Sequence, residues 1–223
     1  MAARLSALGL PIRRPQSMRL RNTVAPNLPL ATRTYEQNYH DQLNNVLRLY
    51  FNQLDNAIGA IIGTGGGANL QLPNGAWYDT TTQTRTAINT AQAVTFNSNT
   101  LQNQITKDTT DTSKIYVEKD GYYNFQFSAQ ISKASGGTSY VWIWPRIDGV
   151  DVDDSASKVA VQGTAAESVP AWNFVLPMNA GSYFQLMWAT DDNITLLHEP
   201  AVAFAPGIPS VILTATFVSA LYT

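Results

Sequence analysis

The stretch "IYVEKDGYYNFQFSAQIS", residues 115 to 132, restricts the fold more than any other part of the chain. After Gly121, apolar and polar side chains alternate almost without a break, and a two-residue period places them on opposite faces of a strand. The apolar face consists of Tyr123, Phe125, Phe127, Ala129 and Ile131, and the polar face of Tyr122, Asn124, Gln126, Ser128, Gln130 and Ser132. We therefore expect a long β-strand whose apolar face fills a core.

The polar face of this strand carries hydroxyl and amide groups but no Lys or Glu. A sheet face in water usually carries charged side chains, whereas an uncharged polar face suits a surface that another layer or subunit covers. The composition agrees, because only 13% of the 223 residues are charged, against about 25% in typical soluble proteins. We expect an oligomer, built from one all-β domain with an appendage.

The first segment, residues 1 to 33, is predicted to be an extended basic arm that docks onto another protein. It has no acidic residue, and its prolines prevent a continuous helix. The candidate docking residues are Arg13, Arg14, Arg19, Arg21, Leu28, Leu30 and Arg33. No nucleic acid is expected as a partner, because no aromatic residue lies among these arginines to stack on bases. A solvated, disordered tail is the alternative interpretation.

Residues 34 to 62 are predicted to form an amphipathic helix for oligomerisation or docking. Thr34 and Gln37 have the spacing of a capping box, which would place the helix cap at Thr34. Apolar residues then recur at heptad spacing, and the candidate contact residues are Leu43, Leu47, Phe51, Leu54 and Ile58. A short three-helix bundle would bury these residues; a helix packed on its own domain is the alternative.

The glycine-rich residues 63 to 73 are predicted to be a hinge. They follow a helix instead of joining a strand to a helix, and they lack the Lys-Ser/Thr pair of a phosphate-binding loop. Residues 74 to 223 alternate β-rich runs with turn residues, without a long helical pattern. Roughly eight to ten such strands predict a mainly β sandwich or jelly-roll head.

Few residues are available for catalysis or metal binding. The chain has no cysteine and only two histidines, His40 and His198, so we expect no metal, no cofactor and no enzymatic activity. His198 beside Glu199 could act in a site formed by folding, but a lone surface histidine is the simpler interpretation. No apolar run approaches about 18 residues, and no apolar signal segment opens the chain, so neither a membrane span nor a secretory signal is expected.

Two groups of side chains leave more than one interpretation open. The carboxylates from Asp148 to Asp154 could coordinate calcium, but Asp148-Gly149 favours a hairpin turn with the aspartates facing solvent. The tryptophans of the predicted strands could stack on sugars, but burial is the simpler interpretation for Trp142, Trp144, Trp172 and Trp188. Loop carboxylates would suit a glycosidase if they lay close together, and the candidates are Asp108, Asp111, Asp191 and Asp192.

The pattern Gly121-x-Tyr123-x-Phe125-x-Phe127, preceded by Ile115, resembles the core signature of the tumour-necrosis-factor-like jelly roll, the fold of the complement globular heads. The resemblance covers residues 74 to 223. It implies that the glycine turns the chain and that the aromatic side chains fill the sandwich. Members of that family are usually homotrimers, so the resemblance also implies a trimer with the neutral strand face toward the threefold axis or under a neighbour.

A second resemblance covers nearly the whole chain. The stretches "NLPLATRTYEQNYHDQLNNVLRLYFNQLDNAIGAIIG", "GAWYDTTTQT", "AGSYFQLMWATDDNITLLHEPA" and "PSVILTATFVS" are similar to virion structural proteins of tailed phages, especially marine cyanobacterial phages. This resemblance implies a virion fibre, knob or capsid appendage whose arm and helix attach to other capsid or tail proteins. The jelly-roll head would then be exposed for decoration or for attachment to a host-surface glycan or protein.

Two other functions remain as alternatives to a virion appendage. The first is a phage depolymerase acting on host surface polysaccharide, although such enzymes usually carry a long repetitive β-helix, which this sequence does not show. The second is a secreted trimeric ligand, which the missing signal segment disfavours.

Overall fold

The computed structural model describes residues 24–62 and 72–221 of the 223-residue chain. Contacts divide the chain into two compact units, Met1–Gln71 and Leu72–Thr223, and each is described by itself. The first unit contains the helix α1, Gln37–Ile62, which follows residues 24–36 without helix or strand. Within the described ranges, no helix is long and apolar enough to cross a membrane.

The start of α1 differs from the sequence prediction. Its first backbone hydrogen bonds run from the amides of Tyr39 and His40 to the Glu36 carbonyl, at 3.1 and 3.4 Å, so Glu36 is the N-cap residue. The Thr32 hydroxyl donates to the Thr34 carbonyl at 2.6 Å, which ties Thr34 into the irregular segment before the helix. The prediction that Thr34 caps the helix is therefore wrong.

The second unit is built from strands joined by turns and loops. In chain order the strands are β1 Asn74–Asp79, β2 Gln83–Thr84, β3 Gln92–Ala93, β4 Ser98–Asn103, β5 Ile105–Lys107, β6 Ile115–Val117, β7 Gly121–Ala129, β8 Ile131–Lys133, β9 Thr138–Ile147, β10 Val150–Asp151, β11 Ser157–Gln162, β12 Ala166–Ser168, β13 Ala171–Met178, β14 Tyr183–Thr190, β15 Ile194–Leu196 and β16 Val211–Ser219.

The strand order identifies the fold. The first sheet has the order β13-β7-β16-β1-β4, and the second contains β5-β6-β14-β9, with β10 and β11 beside β9 and β3 beside β14. The eight main strands, in chain order, are β1, β6, β7, β9, β11, β13, β14 and β16. Numbered 1 to 8 in that order, they pair as 6-3-8-1 in the first sheet and as 2-7-4-5 in the second. This is the order of a jelly roll. The prediction of a mainly β chain with a jelly-roll sandwich is confirmed.

Four short strands form a third sheet, in the order β12-β8-β15-β2, and the hydrophobic core lies between the first two sheets. The inward ladder of β7 contributes Tyr123, Phe125 and Phe127, and β8 contributes Ile131; all four side chains are buried. The ring of Phe125 stacks on Phe184 of β14 with 4.0 Å between centroids, which joins the first sheet to the second. The apolar face predicted from the alternation is thus the face that packs the sandwich.

Gly121, the first residue of β7, is required by a close approach of the neighbouring strand. A Cβ at this position would lie 2.3 Å from the ring of Phe217 and 2.8 Å from the carbonyl oxygen of Ser219, both on β16. A larger residue would therefore push β16 away from β7. The glycine serves packing at the end of the strand, in addition to any role in turning the chain.

The hairpin between β9 and β10 sets the register of the second sheet at its edge. Asp148 and Gly149 have φ values of 50° and 82°, as a two-residue hairpin turn requires. Asp151 consequently pairs with Arg146 on the facing strand. The predicted turn at Asp148-Gly149 is confirmed.

Candidate functional site

The outward side of the first sheet is an uncharged surface, here called the neutral face. Ladder partners in an antiparallel sheet point to the same side, so the registers assign its residues. In rows across β13, β7, β16, β1 and β4, they are Ala171, Ser128, Ile212, Tyr78 and Ser98; Asn173, Gln126, Thr214, Ala76 and Leu101; and Val175, Asn124, Thr216, Asn74 and Asn103. None of these side chains is charged.

The neutral face also exposes branched aliphatic side chains in the single chain. Val175 and Ile212 expose 55% and 41% of their surface. A broad face with methyl, hydroxyl and amide groups and no charge has the composition of a surface that another protein covers. The polar half of the strand that begins at Gly121 lies within this face.

The outward side of the second sheet, here called the tryptophan face, is aromatic and charged. Val141 and Ile143 of β9 point into the core, so the alternate residues of that strand point outward. The tryptophan face contains Tyr140, Trp142, Trp144 and Arg146 on β9, Asp151 on β10, Lys158 on β11, and Gln185, Met187 and Ala189 on β14.

A groove of about 640 Å³ opens on the tryptophan face. Trp142, Trp144 and Ala189 form one part of its wall, and residues 151–156, which follow the hairpin, form the other. Ala189 pairs with Trp142 across the ladder, and its small side chain leaves room beside the indole. Both tryptophans are half-buried in the single chain, whereas Val141 and Ile143 of the same strand are fully buried.

Trp188, in contrast, is fully buried in the core, as predicted. Trp172 is half-buried and makes an edge-to-face contact with Phe127, with 4.7 Å between ring centroids. These two tryptophans therefore belong to the packing of the sandwich and not to the groove.

Asp151 fixes the position of one groove tryptophan. Its Oδ1 accepts hydrogen bonds from Arg146 Nε at 2.6 Å and from Trp144 Nε1 at 2.8 Å. The hydrogen bond from Arg146, and to a smaller extent that from Trp144, lowers the pKa of Asp151 below its usual value. Asp151 is therefore an ionised acceptor that anchors the edge of the Trp144 indole.

Lys158 occupies the other end of the aromatic row. Its Nζ lies 3.7 Å from the ring centroid of Tyr140 and 5.1 Å from that of Trp142. Cations at such distances are attracted to the electron-rich faces of aromatic rings. Lys158 therefore contacts Tyr140, which lies outside the groove, more closely than it contacts Trp142, which lines the groove.

Of the loop carboxylates singled out from the sequence, Asp192 is held in a structural network. It accepts hydrogen bonds from the hydroxyls of Ser135 and Ser139 at 2.5 and 2.6 Å and from the Asn193 amide at 2.7 Å, while Lys133 Nζ lies 3.8 Å away. The two serine hydroxyls are the main reason that the pKa of Asp192 is lowered. The carboxylate thereby ties the loops beside β9 together.

Asp108 and Asp111 belong to a second local network. The carboxylate of Asp108 accepts the amides of Thr110 and Asp111, and Asp111 accepts the Ser113 hydroxyl at 2.6 Å and pairs with Lys114 at 3.3 Å. These hydrogen bonds, from the Thr110 amide to Asp108 and from the Ser113 hydroxyl to Asp111, are the leading causes that lower both carboxyl pKa values. Both side chains are thus committed to the turn before β6.

Neither histidine lines the groove. His198 is half-buried, and its Nδ1 lies 2.8 Å from the Ile208 carbonyl oxygen, so it supports the loop between β15 and β16. His40 stacks on Tyr35 at the start of α1, with 4.9 Å between ring centroids. Among the residues that the structure describes, no group of three or more His, Asp or Glu side chains is placed to hold a metal ion.

The predicted arm residues fall partly within the described part of the chain. Leu28, Leu30 and Arg33 are exposed in a segment without helix or strand. Leu28 also lines a groove of about 420 Å³ together with Gln42 and Val46 of α1, so the end of the arm runs beside the helix. The remaining candidates, Arg13, Arg14, Arg19 and Arg21, and residues 63–71 of the predicted hinge lie outside the described residues.

The predicted contact residues of α1 differ in exposure. Leu43, Leu47 and Leu54 are half-buried, whereas Phe51 and Ile58 expose 56% and 43% of their surface in the single chain. The aromatic and aliphatic side chains on the exposed seam are thus available for contact with a second protein.

Comparisons with known proteins identify no family for the chain. No known family model matches it, and no curated protein matches it. Among solved structures, the globular domain of a zebrafish complement 1qA protein is similar, with 12% sequence identity, a TM-score of 0.42 and coverage of 67% of this chain and 99% of that chain. The jelly-roll assignment itself follows from the strand order described above.

Sequence reasoning did not assign Asp151 or Ala189 to a binding groove. A signal for Asp151 was present, because a two-residue turn at Asp148-Gly149 places Asp151 opposite Arg146. No signal marked Ala189, since its position beside Trp142 depends on the pairing of β14 with β9, which are separated by four other strands in the chain.

Proposed function

We propose that the chain is a non-enzymatic virion structural protein of a tailed phage, a homotrimeric fibre or knob appendage. The arm and helix anchor it to other virion proteins of the capsid or tail, and the jelly-roll head projects for particle decoration or host-surface attachment. The resemblance of the arm, helix and head sequences to such proteins supports this function, and the exposed faces of the two units agree with it.

The neutral face is the observation that carries the trimer. Its uncharged side chains and its exposed Val175 and Ile212 would be covered if three copies packed their first sheets around an axis. The tryptophan face lies on the opposite side of the sandwich and would remain exposed in that assembly. An appendage needs both surfaces, one for assembly and one for contact with the outside.

The exposed seam of α1 and the adjoining arm support the attachment role. Phe51 and Ile58 present apolar surface on the helix, and Leu28 and Leu30 present it on the arm. An extended segment with such side chains can place them in the pockets of a partner while its backbone pairs with a sheet edge. The arginines add attraction to an acidic particle surface, which weakens as salt is added.

The groove supports binding better than hydrolysis. A glycosidase needs one carboxyl whose pKa is raised so that it can protonate the leaving group. The pKa of Asp151, which lines the groove, is shifted in the opposite direction by Arg146 and Trp144. A depolymerase remains the second candidate because Asp153 and Asp154 also lie beside the tryptophans, and release of new reducing ends from host polysaccharide by the purified chain would favour it.

Incorporation into particles tests the proposal. We expect the full-length chain to be a trimer by native mass spectrometry and to be present in purified virions. Removal of residues 1–33 should abolish incorporation while the protein stays a folded trimer. A variant with the arm arginines changed to Gln separates charge from apolar docking and should retain part of the incorporation, because the leucine contacts persist. A monomeric full-length chain, or one absent from virions, would contradict the proposal.

A further inference from the structure

We infer that the groove on the tryptophan face binds a neutral oligosaccharide. A sugar ring lies against Trp142 and Trp144, and its hydroxyl groups donate to Asp153 and Asp154. This inference rests on the proposed attachment function for the biological source of the sugar, the host surface, but its chemistry follows from the groove alone.

The aromatic wall is the first reason. One face of many pyranose rings presents C–H groups with partial positive charge, which pack well on the electron-rich face of an indole. Trp142 and Trp144 lie two residues apart on β9, point to the same side and both line the groove. The volume of about 640 Å³ lies within the range of small-molecule sites, roughly 300–1,000 Å³.

The polar wall is the second reason. Asp151 is occupied by Trp144 and Arg146, so it keeps one indole in place before any ligand arrives. Asp153 and Asp154 are exposed on the same wall and make no hydrogen bond or ion pair to the described residues. Free carboxylates accept strong hydrogen bonds, and each has two oxygens that can receive neighbouring sugar hydroxyls.

Charge defines the class of sugar. The carboxylates of Asp151, Asp153 and Asp154 give this wall a negative charge. Two cations of the tryptophan face, Arg146 and Lys158, are engaged with Asp151 and with aromatic rings. A sulfated or carboxylated glycan bound in the groove would be repelled by these carboxylates. A neutral, hydroxyl-rich sugar satisfies the free acceptors without adding negative charge.

Ligand-detected NMR on the full-length chain tests the inference. The probes are neutral trisaccharides of glucose, mannose and galactose, with a heparin oligosaccharide and choline as probes of the other ligand classes. We expect at least one neutral trisaccharide to bind and heparin to show no binding. Binding of heparin or choline in preference to every neutral sugar would overturn the inference.

Variants locate the binding. Trp142→Ala removes one aromatic ring that contacts the sugar, and Ala189→Leu fills the groove without removing an aromatic ring. Each should lower the affinity for the trisaccharide by at least about tenfold. Tyr116→Ala removes an aromatic ring from the outward side of the same sheet outside the groove and should alter affinity by less than about threefold. Equal affinities for Tyr116→Ala and Trp142→Ala, or undiminished binding by Ala189→Leu, would overturn the inference.

The same variants separate this inference from the proposed function. Ala189→Leu should enter virions at the wild-type level, because the groove lies on the face opposite the proposed trimer surface. A chain that enters virions but binds none of the neutral sugars contradicts the groove alone. A chain that binds a neutral sugar through Trp142 but is absent from virions contradicts the virion function and supports the groove.

Discussion

Two outward surfaces of the head, the neutral face of the first sheet and the tryptophan face of the second, are built from every second residue of long antiparallel strands. They differ in charge and in the presence of a groove. The rows of the neutral face contain no charged residue. The tryptophan face contains Arg146, Asp151 and Lys158, and a groove of about 640 Å³ opens on it.

This difference shows which property distinguishes two outward surfaces of one sandwich. Alternation alone states which side chains point away from the core, and it gives the same result for β7 and β9. The charge and size of these side chains then determine which partner each surface can bind. A face without charge suits a second copy of the chain, whereas aromatic rings beside free carboxylates suit a hydroxyl-rich ligand.

The largest loss of stability is expected from a substitution in the hydrophobic core that the two sheets share. Phe125→Ala removes the ring that stacks on Phe184 between the sheets and should lower the free energy of unfolding by about 3–5 kcal/mol. Gln126→Ala, the next residue on the outward side, should cost far less. Urea denaturation measures the free energy of unfolding of both variants. A similar decrease for the two would contradict the assignment of Phe125 to the core and of Gln126 to the outward side.

A charge on the neutral face should disrupt the trimer, whereas the same charge on the outward side of the second sheet should not. Thr214 lies in the middle row of that face, so Thr214→Lys should leave the head folded but convert the trimer to monomer at micromolar concentration, because a buried unpaired charge costs several kcal/mol. Thr106→Lys adds the same charge to the outward side of the second sheet. Native mass spectrometry should show a trimer for Thr106→Lys; a trimer for Thr214→Lys would exclude this face as the interface.

A charge on the helix should show whether the neutral face assembles the trimer by itself. Phe51 is an exposed apolar residue of the α1 seam, so Phe51→Asp should sharply reduce incorporation into virions while the trimer persists. Asn52→Asp adds the same charge beside the seam and should be incorporated normally. A monomeric Phe51→Asp protein would assign trimer assembly to the helix.

A carboxylate supports the strand that carries the tryptophans, which gives a pH test. Folding lowers the pKa of Asp192 through Ser135 and Ser139, so its stabilisation is complete above the unfolded value of about 3.9 and is lost as the pH falls through the lower folded value. Asp192→Asn should unfold at a lower temperature than wild type at pH 7. Calorimetry should show this gap narrowing below about pH 4; a gap that widens in acid would contradict the network.

The smallest expected effect concerns salt. Because the rows of the neutral face contain no ionic side chain, trimer stability should change little between about 0.05 and 1 M salt, although screening becomes much stronger over this range. Sedimentation at both salt concentrations measures it. Dissociation of the trimer at high salt would indicate that charged residues outside the neutral face hold the subunits together.

The sequence predicted the jelly roll because its strongest signals are local. The alternation from Gly121 to Ala129 identifies β7 and its core face, and the turn at Asp148-Gly149 identifies a hairpin. The predicted strand does not continue to Ile131, which lies in the separate strand β8. The strand β4, Ser98–Asn103, carries polar residues without clear alternation and was not anticipated. The cap at Glu36 was missed because Thr34 and Gln37 have the capping-box spacing, whereas Glu is not among the favoured N-cap residues.

The groove was less predictable because it depends on contacts between distant segments. The sequence placed Trp142 and Trp144 on one strand face, but their neighbours come from β14 and from residues 151–156. Only the hairpin register that sets Asp151 opposite Arg146 was accessible from local pattern. The position of Ala189 required the strand order of the second sheet.

The separation of the two faces has a consequence for variation within a population of particles. Asp153 and Asp154 of the groove wall are exposed residues between β10 and β11, so they can change without disturbing the strand ladders. If the chain is the trimeric attachment protein proposed above, two alleles that differ only there would keep identical neutral faces and would co-assemble in one cell. Each mixed trimer would then display two receptor specificities on a single appendage, and selection for a new host could begin before the ancestral specificity is lost.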